Sequence, residues 1–134
     1  MSAELVWKDE HHALGVVEMD DTHRAFLELL AEAVEATAAA LPGCLERLAT
    51  HTAAHFARES ELMRACQLAS SAEHEAEHAR VLAELAQMQS RLAAGRVSFV
   101  RMYLAEGVPD WFRTHLATMD SALAADYRRA CLGD

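Results

Sequence analysis

Apolar residues in this chain recur three and four positions apart along nearly its whole length, with only 2 Pro and 5 Gly to interrupt them. That is the period of helices with one buried face, not the alternation of strands. Good helix formers, Ala, Leu and Glu, dominate the composition, so the spacing predicts an all-α fold. A first helix is expected from about Asp20 to Leu41. Asp20 or Asp21 can accept the free N–H groups at its start, and "LPG" at Leu41 to Gly43 closes it. His23, Leu27, Leu30 and Val34 share one stripe of this helix. A second opens near Pro42, where a missing N–H costs nothing, and runs to about Cys66 with Leu48, His55, Glu59 and Leu62 on one face. "LASS" breaks the pattern. Ser70 or Ser71 can cap a third helix that reaches Ala94 before Gly95, with His74, His78, Val81, Leu85 and Met88 inward. The fourth runs from about Val97 into the 120s and is interrupted by "EGVPD", where Pro109 predicts a kink or a break. Connections this short favour antiparallel neighbours. The expected architecture is an up-down-up-down antiparallel four-helix bundle over 19–131, preceded by an N-terminal arm over 1–18, in a single domain of 134 residues.

Several function classes drop out on composition. A net charge of −9 with no Lys/Arg cluster opposes contact with a phosphate backbone, so nucleic acid is not expected as a partner. Three cysteines, Cys44, Cys66 and Cys131, with no CxxC spacing suggest neither a disulfide framework nor a thiolate zinc site. The start, "MSAELVWKDEHH", lacks the basic and apolar regions of a secretory signal, and no apolar run approaches a membrane span. The expectation is a cytoplasmic protein.

What remains is a set of histidines and carboxylates at helical spacing. Residues four apart lie one above the other on a helix, so His55 with Glu59, and His74 with His78, each form a two-pronged chelator. His23 on the first helix and "HLATMD", His115 to Asp120, on the fourth give every helix a nitrogen ligand. Five imidazoles and two carboxylates exceed the needs of one metal ion and suit two. Imidazole favours iron, copper, nickel or zinc over magnesium or calcium, and carboxylates can bridge a pair. Left without metal in a bundle core, these groups would go unpaired at about 1–3 kcal/mol each. His115 and Asp120 are five apart, about 140° out of register on an ideal helix, and local widening of the helix would bring them together.

At this point the sequence resembles the hemerythrins, in particular the single-domain bacteriohemerythrins, over nearly its whole length. The arm motif of that family stands here as Trp7, Gly15, Asp20 and His23, with "MDDTH" in place of the commoner "IDxQH". Its "HFxxE…LM" stands as His55, Phe56, Glu59, Leu62 and Met63; its HxxxH as His74 and His78; and its "DWLxxHIxxxD" as "DWFRTHLATMD", with Trp111, His115 and Asp120. The resemblance implies two iron ions. His74, His78 and His115 would hold one and His23 and His55 the other, with Glu59 and Asp120 bridging beside an oxo or hydroxo group. It further implies reversible binding of dioxygen at an open position of one iron, in a carrier, store or delivery protein rather than an enzyme. An oxygen-consuming enzyme would be the recipient. Other readings open to the same ligands are a di-iron oxidase, a peroxidase, a nitric-oxide-handling protein or a stand-alone oxygen or redox sensor.

Some residues depart from the family. Phe112, where Leu is usual, is a candidate wall or gate of the oxygen pocket and equally an ordinary core residue. His51 lies one turn before His55 where Tyr is common; it reads as a half-exposed surface histidine, with orientation of a ligand as the alternative. His11 and His12, in an arm one residue longer than usual, are expected in solvent. Trp7 and Trp111 are expected to pack the arm and core, and the mixed charged surface fits a monomer.

Overall fold

The computed structural model describes residues 5–133, so the first four positions of the expected arm lie outside the described residues. Every regular element among the described residues is helical. A one-turn helix α1 (Asp9–His12) sits in the arm, followed by α2 (Val17–Glu35), α3 (Leu41–Cys66) and α4 (Ser71–Ala93). The fourth rod is one continuous run: α5 (Val97–Met102), a π-turn (Tyr103–Gly107), α6 (Val108–His115), a second π-turn (Leu116–Asp120) and α7 (Ser121–Cys131). Helix α3 packs on α2, α4 and α7, giving the up-down bundle.

Three boundary expectations are corrected. The first long helix begins at Val17 rather than Asp20, because the Asp20 carboxylate does not cap it. Its Oδ1 accepts the Leu14 N–H at 2.8 Å and ties the arm to the helix instead. That helix ends at Glu35, not Leu41. A turn follows in which the Thr37 carbonyl accepts the Leu41 N–H at 2.9 Å. Ser70 occupies the cap position of α4, yet neither it nor Ser71 makes a side-chain cap bond.

Pro109 does not break the fourth rod, which stays helical through it. The first π-turn precedes it, and the Val108 N–H bonds back to the Tyr103 carbonyl five residues earlier. Pro109 enters directly after that wide turn, at the start of α6.

The arm is fastened at Leu14 from both sides. Its N–H is held by Asp20, and its carbonyl accepts from the Arg128 guanidinium on α7. Gly15 makes that approach possible: its φ is +83°, and a Cβ there would stand 2.9 Å from Arg128 Nη1.

Two apolar clusters fill the bundle, one around Leu27, Leu30, Leu48 and Leu104, the other around Met19, Leu62, Met63 and Leu123. On three of the four long rods the ligand-type residues fall between them. His23 separates Met19 from Leu27, Glu59 separates Phe56 from Leu62, and Asp120 separates Leu116 from Leu123. A polar layer is thus sealed by apolar packing on both sides. The stripes expected for α3 and α4 are all buried, and on α2 only Val34 is half-exposed.

Candidate metal centre

His23, His55, Glu59, His74, His78, His115 and Asp120 are all buried, none more than 6% exposed. Their atoms meet at one place. The ligand atoms of Glu59, His74, His78, His115 and Asp120 all lie within 4.8 Å of one another, and so do those of His23, His55 and Glu59. The second π-turn makes the larger group possible. With the Ser121 N–H bonded to the Leu116 carbonyl, the rod is widened where it was expected to need widening. His115 Nε2 then stands 3.3 Å from Asp120 Oδ1 despite their spacing of five.

The two oxygens of each carboxylate face different histidines. Glu59 Oε2 lies 2.7 Å from His55 Nε2 and 3.2 Å from His23 Nε2, while Oε1 lies 3.1 Å from His78 and 3.3 Å from His74. Asp120 Oδ2 faces His23 at 3.2 Å, and Oδ1 faces His74 at 3.2 Å and His115 at 3.3 Å. Two histidine sets therefore flank one carboxylate pair.

Protein groups alone leave this layer unsatisfied. Both nitrogens of His74, His78 and His115, together with Glu59 Oε1 and Asp120 Oδ1, are buried without a hydrogen-bond partner. So many orphaned polar atoms would be costly in a dry interior. A donor set of imidazole nitrogens and carboxylate oxygens converging within ligand reach fits metal ions, and borderline transition ions suit it best.

Electrostatics without metal points the same way. Burial disfavours a charged His23, but the Asp120 and Glu59 carboxylates, each 3.2 Å away, prevail and push its pKa up to about 10; for His74, which faces the same two carboxylates, the contest ends at about 9. Burial likewise opposes ionisation of Glu59 and Asp120, yet the histidines hold both well below the usual carboxylate range. His78 is pushed down, chiefly by burial. The site is built for positive charge, and protons are the substitute.

On the side away from the carboxylates, ring packing rather than hydrogen bonding flanks the imidazoles. Metal-ligating histidines commonly donate their second N–H to a carboxylate or carbonyl, but the Nδ1 atoms of all five are without such a partner here. Phe56 stacks on His78 with centroids 3.7 Å apart and planes within 3°, and Trp111 stacks on His115 at 4.8 Å. Trp111 is itself fixed, its indole N–H donating to Glu77 Oε1 at 2.7 Å. Phe112 stacks on Phe26 and meets His23 edge-on at 5.7 Å. Glu77 was not singled out in the sequence, and no local spacing could have paired it with a residue 34 positions away.

A match to the Hemerythrin HHE cation binding domain spans residues 14–126. The chain belongs to this hemerythrin family. Crystal structures of hemerythrin with one leucine replaced by tyrosine or by alanine are similar to it at a TM-score of 0.77. Each covers 91% of this chain and 95% of its own at 22% identity. No curated protein sequence matches the chain significantly. As in the fold of those hemerythrins, the bundle is all-helical, and no helix among the described residues is long and apolar enough to cross a membrane.

Three histidines of this hemerythrin domain lie outside the candidate clusters. His51 belongs to neither candidate cluster; half-buried, its Nε2 donates to the Thr22 carbonyl at 3.2 Å, beside His23. His11 is exposed as expected, but His12 is not simply solvated. Its Nδ1 accepts the Lys8 N–H at 2.9 Å and its ring packs against Trp7 and Phe112, drawn in because α1 folds that side of the arm over the fourth rod. Trp7 packs on the core through the arm and lies beneath the Arg24 guanidinium at 4.8 Å.

Proposed function

We propose that this hemerythrin domain binds dioxygen reversibly at a di-iron centre. In this reading His74, His78 and His115 hold one iron, His23 and His55 the other, and Glu59 and Asp120 bridge them. The observation that carries the reading is the division of each carboxylate's two oxygens between the two histidine sets. Two irons in this layer would supply the pair of electrons on which reversible oxygen binding draws.

The chain's own residues favour binding over turnover. Phe26, Phe56 and Phe112, all buried, exclude water from the layer. The one other buried polar side chain among the described residues, Thr52, has its hydroxyl proton committed to the Leu48 carbonyl at 2.7 Å. No spare acid stands within the layer to protonate a reduced ligand and expel it. Phe112 stands between the His23 side of the layer and the outer cleft, as a wall on that side.

The test is to load the protein anaerobically with ferrous iron, count metal per chain, and follow the visible spectrum through cycles of air and vacuum. Two irons per chain with an absorption band that appears in air and vanishes under vacuum is the expected result. A single irreversible oxidation would replace the carrier by a di-iron enzyme or sensor. His74→Ala should lose one iron and oxygen binding while keeping its helical circular dichroism; retained oxygen binding would overturn the ligand assignment.

A further inference from the structure

A cleft of about 400 Å³ lies outside Phe112, between the arm and the fourth rod. Its floor is apolar: Leu14, Pro109, Phe112, Leu116 and Ala117. Its rim carries nitrogen groups, those of Lys8, His11, His12 and an Arg113 that is ion-paired with Asp110, and no carboxylate side chain lines it. That is notable in a chain of net charge −9. The volume falls within the range of sites for small organic molecules, roughly 300–1,000 Å³. It far exceeds the need of a diatomic gas, which takes little more room than a water molecule, about 30 Å³. An oxygen path alone does not account for it.

The cleft is preformed. Leu14 is pinned by Asp20 and Arg128, and the Lys8 N–H closes on His12 Nδ1. Because that nitrogen accepts, the neutral ring carries its proton on Nε2, a donor among the lining groups. Arg113 is braced by Asp110 at 2.8 Å, which fixes its guanidinium beside the floor. Donors and cations at the rim above an apolar floor match one ligand chemistry, an anionic head on an apolar body.

We propose that this cleft binds a small organic anion with an apolar body, of the class of a medium-chain or aromatic carboxylate. The occupant would rest on the outer face of Phe112, one ring away from His23. The proposal does not depend on which metal the layer holds or on whether it binds oxygen.

The experiment is calorimetric titration of the full-length, iron-loaded protein with octanoate and with neutral octanol, while the visible spectrum is recorded. The expected result is saturable 1:1 binding of octanoate, several-fold tighter than octanol, with the iron spectrum unshifted. Ala117→Trp, at an exposed helical position, fills the cleft and should weaken octanoate roughly tenfold or more with helicity kept. Lys8→Glu should weaken octanoate several-fold and leave octanol unchanged. Absence of saturable binding, equal affinity for the two probes, or wild-type affinity in Ala117→Trp would each overturn the proposal. So would a shifted iron spectrum that ignores both substitutions, which marks carboxylate ligation at the metal.

Discussion

His115 and Asp120 meet at 3.3 Å across a π-turn, although five residues would put them on different faces of an α-helix. The wide turn delivers a second carboxylate to the layer, where it faces His23 through one oxygen and His74 and His115 through the other. Asp120→Asn keeps the shape and removes the charge. It should lower metal content below two irons per chain, and in metal-free protein it should lower the titration midpoints of His23 and His74, which NMR can follow. Unchanged metal content would remove Asp120 from the bridging role.

Metal-free protein should lose stability as pH rises. His23 and His74 have folded-state pKa values raised to about 10 and 9, against about 6.5 when unfolded. Their contribution is fully present below the unfolded value and disappears as pH climbs through the folded ones. Glu59 and Asp120 are depressed, so their contribution is present above the unfolded carboxylate range and vanishes as pH falls through the depressed values. His78, lowered by burial, costs stability as pH falls below its unfolded value. Urea denaturation of metal-free protein should therefore give a lower midpoint at pH 9.5 than at pH 7. Iron-loaded protein should resist that alkaline loss, because metal replaces the protons.

Phe112→Ala should cost about 3–5 kcal/mol of stability, the usual penalty for removing a buried phenylalanine, since the ring is 4% exposed and packs on Phe26 and His23. It should also shorten the lifetime of the oxygenated state by opening the layer to water. Phe112→Leu keeps most of the bulk and should lie between the two. Spectral decay in air measures this, and an unaltered decay in Phe112→Ala would reduce Phe112 to a packing residue.

Gly15→Ala places a Cβ against Arg128 at a φ of +83°. The expected penalty is about 1–3 kcal/mol from backbone strain and the displaced guanidinium, read as a lowered thermal midpoint. A neutral result would mean that the arm is held mainly by Asp20.

The helices were legible because their apolar period is unambiguous, and the ligand face was legible because His55 with Glu59 and His74 with His78 sit four apart on buried stripes. The start of α2 was misread for a physical reason: Asp20 looks like a cap but spends its carboxylate on the Leu14 N–H, a bond set by the tertiary path of the arm. The sequence around Pro109 predicts a kink or a break because it does not reveal the wide turn that keeps the rod helical through it. His12 and Glu77 were missed as partners of aromatic rings, since His12–Phe112 and Glu77–Trp111 are contacts between distant segments. Local pattern reports the face a residue occupies; it is silent on which distant side chain that face will meet.

The double hold on Leu14 gives the bundle a clasp. Leu14 in the arm is gripped by Arg128 on the last helix, so the arm and that helix are fastened to each other at this point. A fusion or tag that pulls on the last helix would be felt at the arm, on the opposite terminus, before it disturbed the helices between.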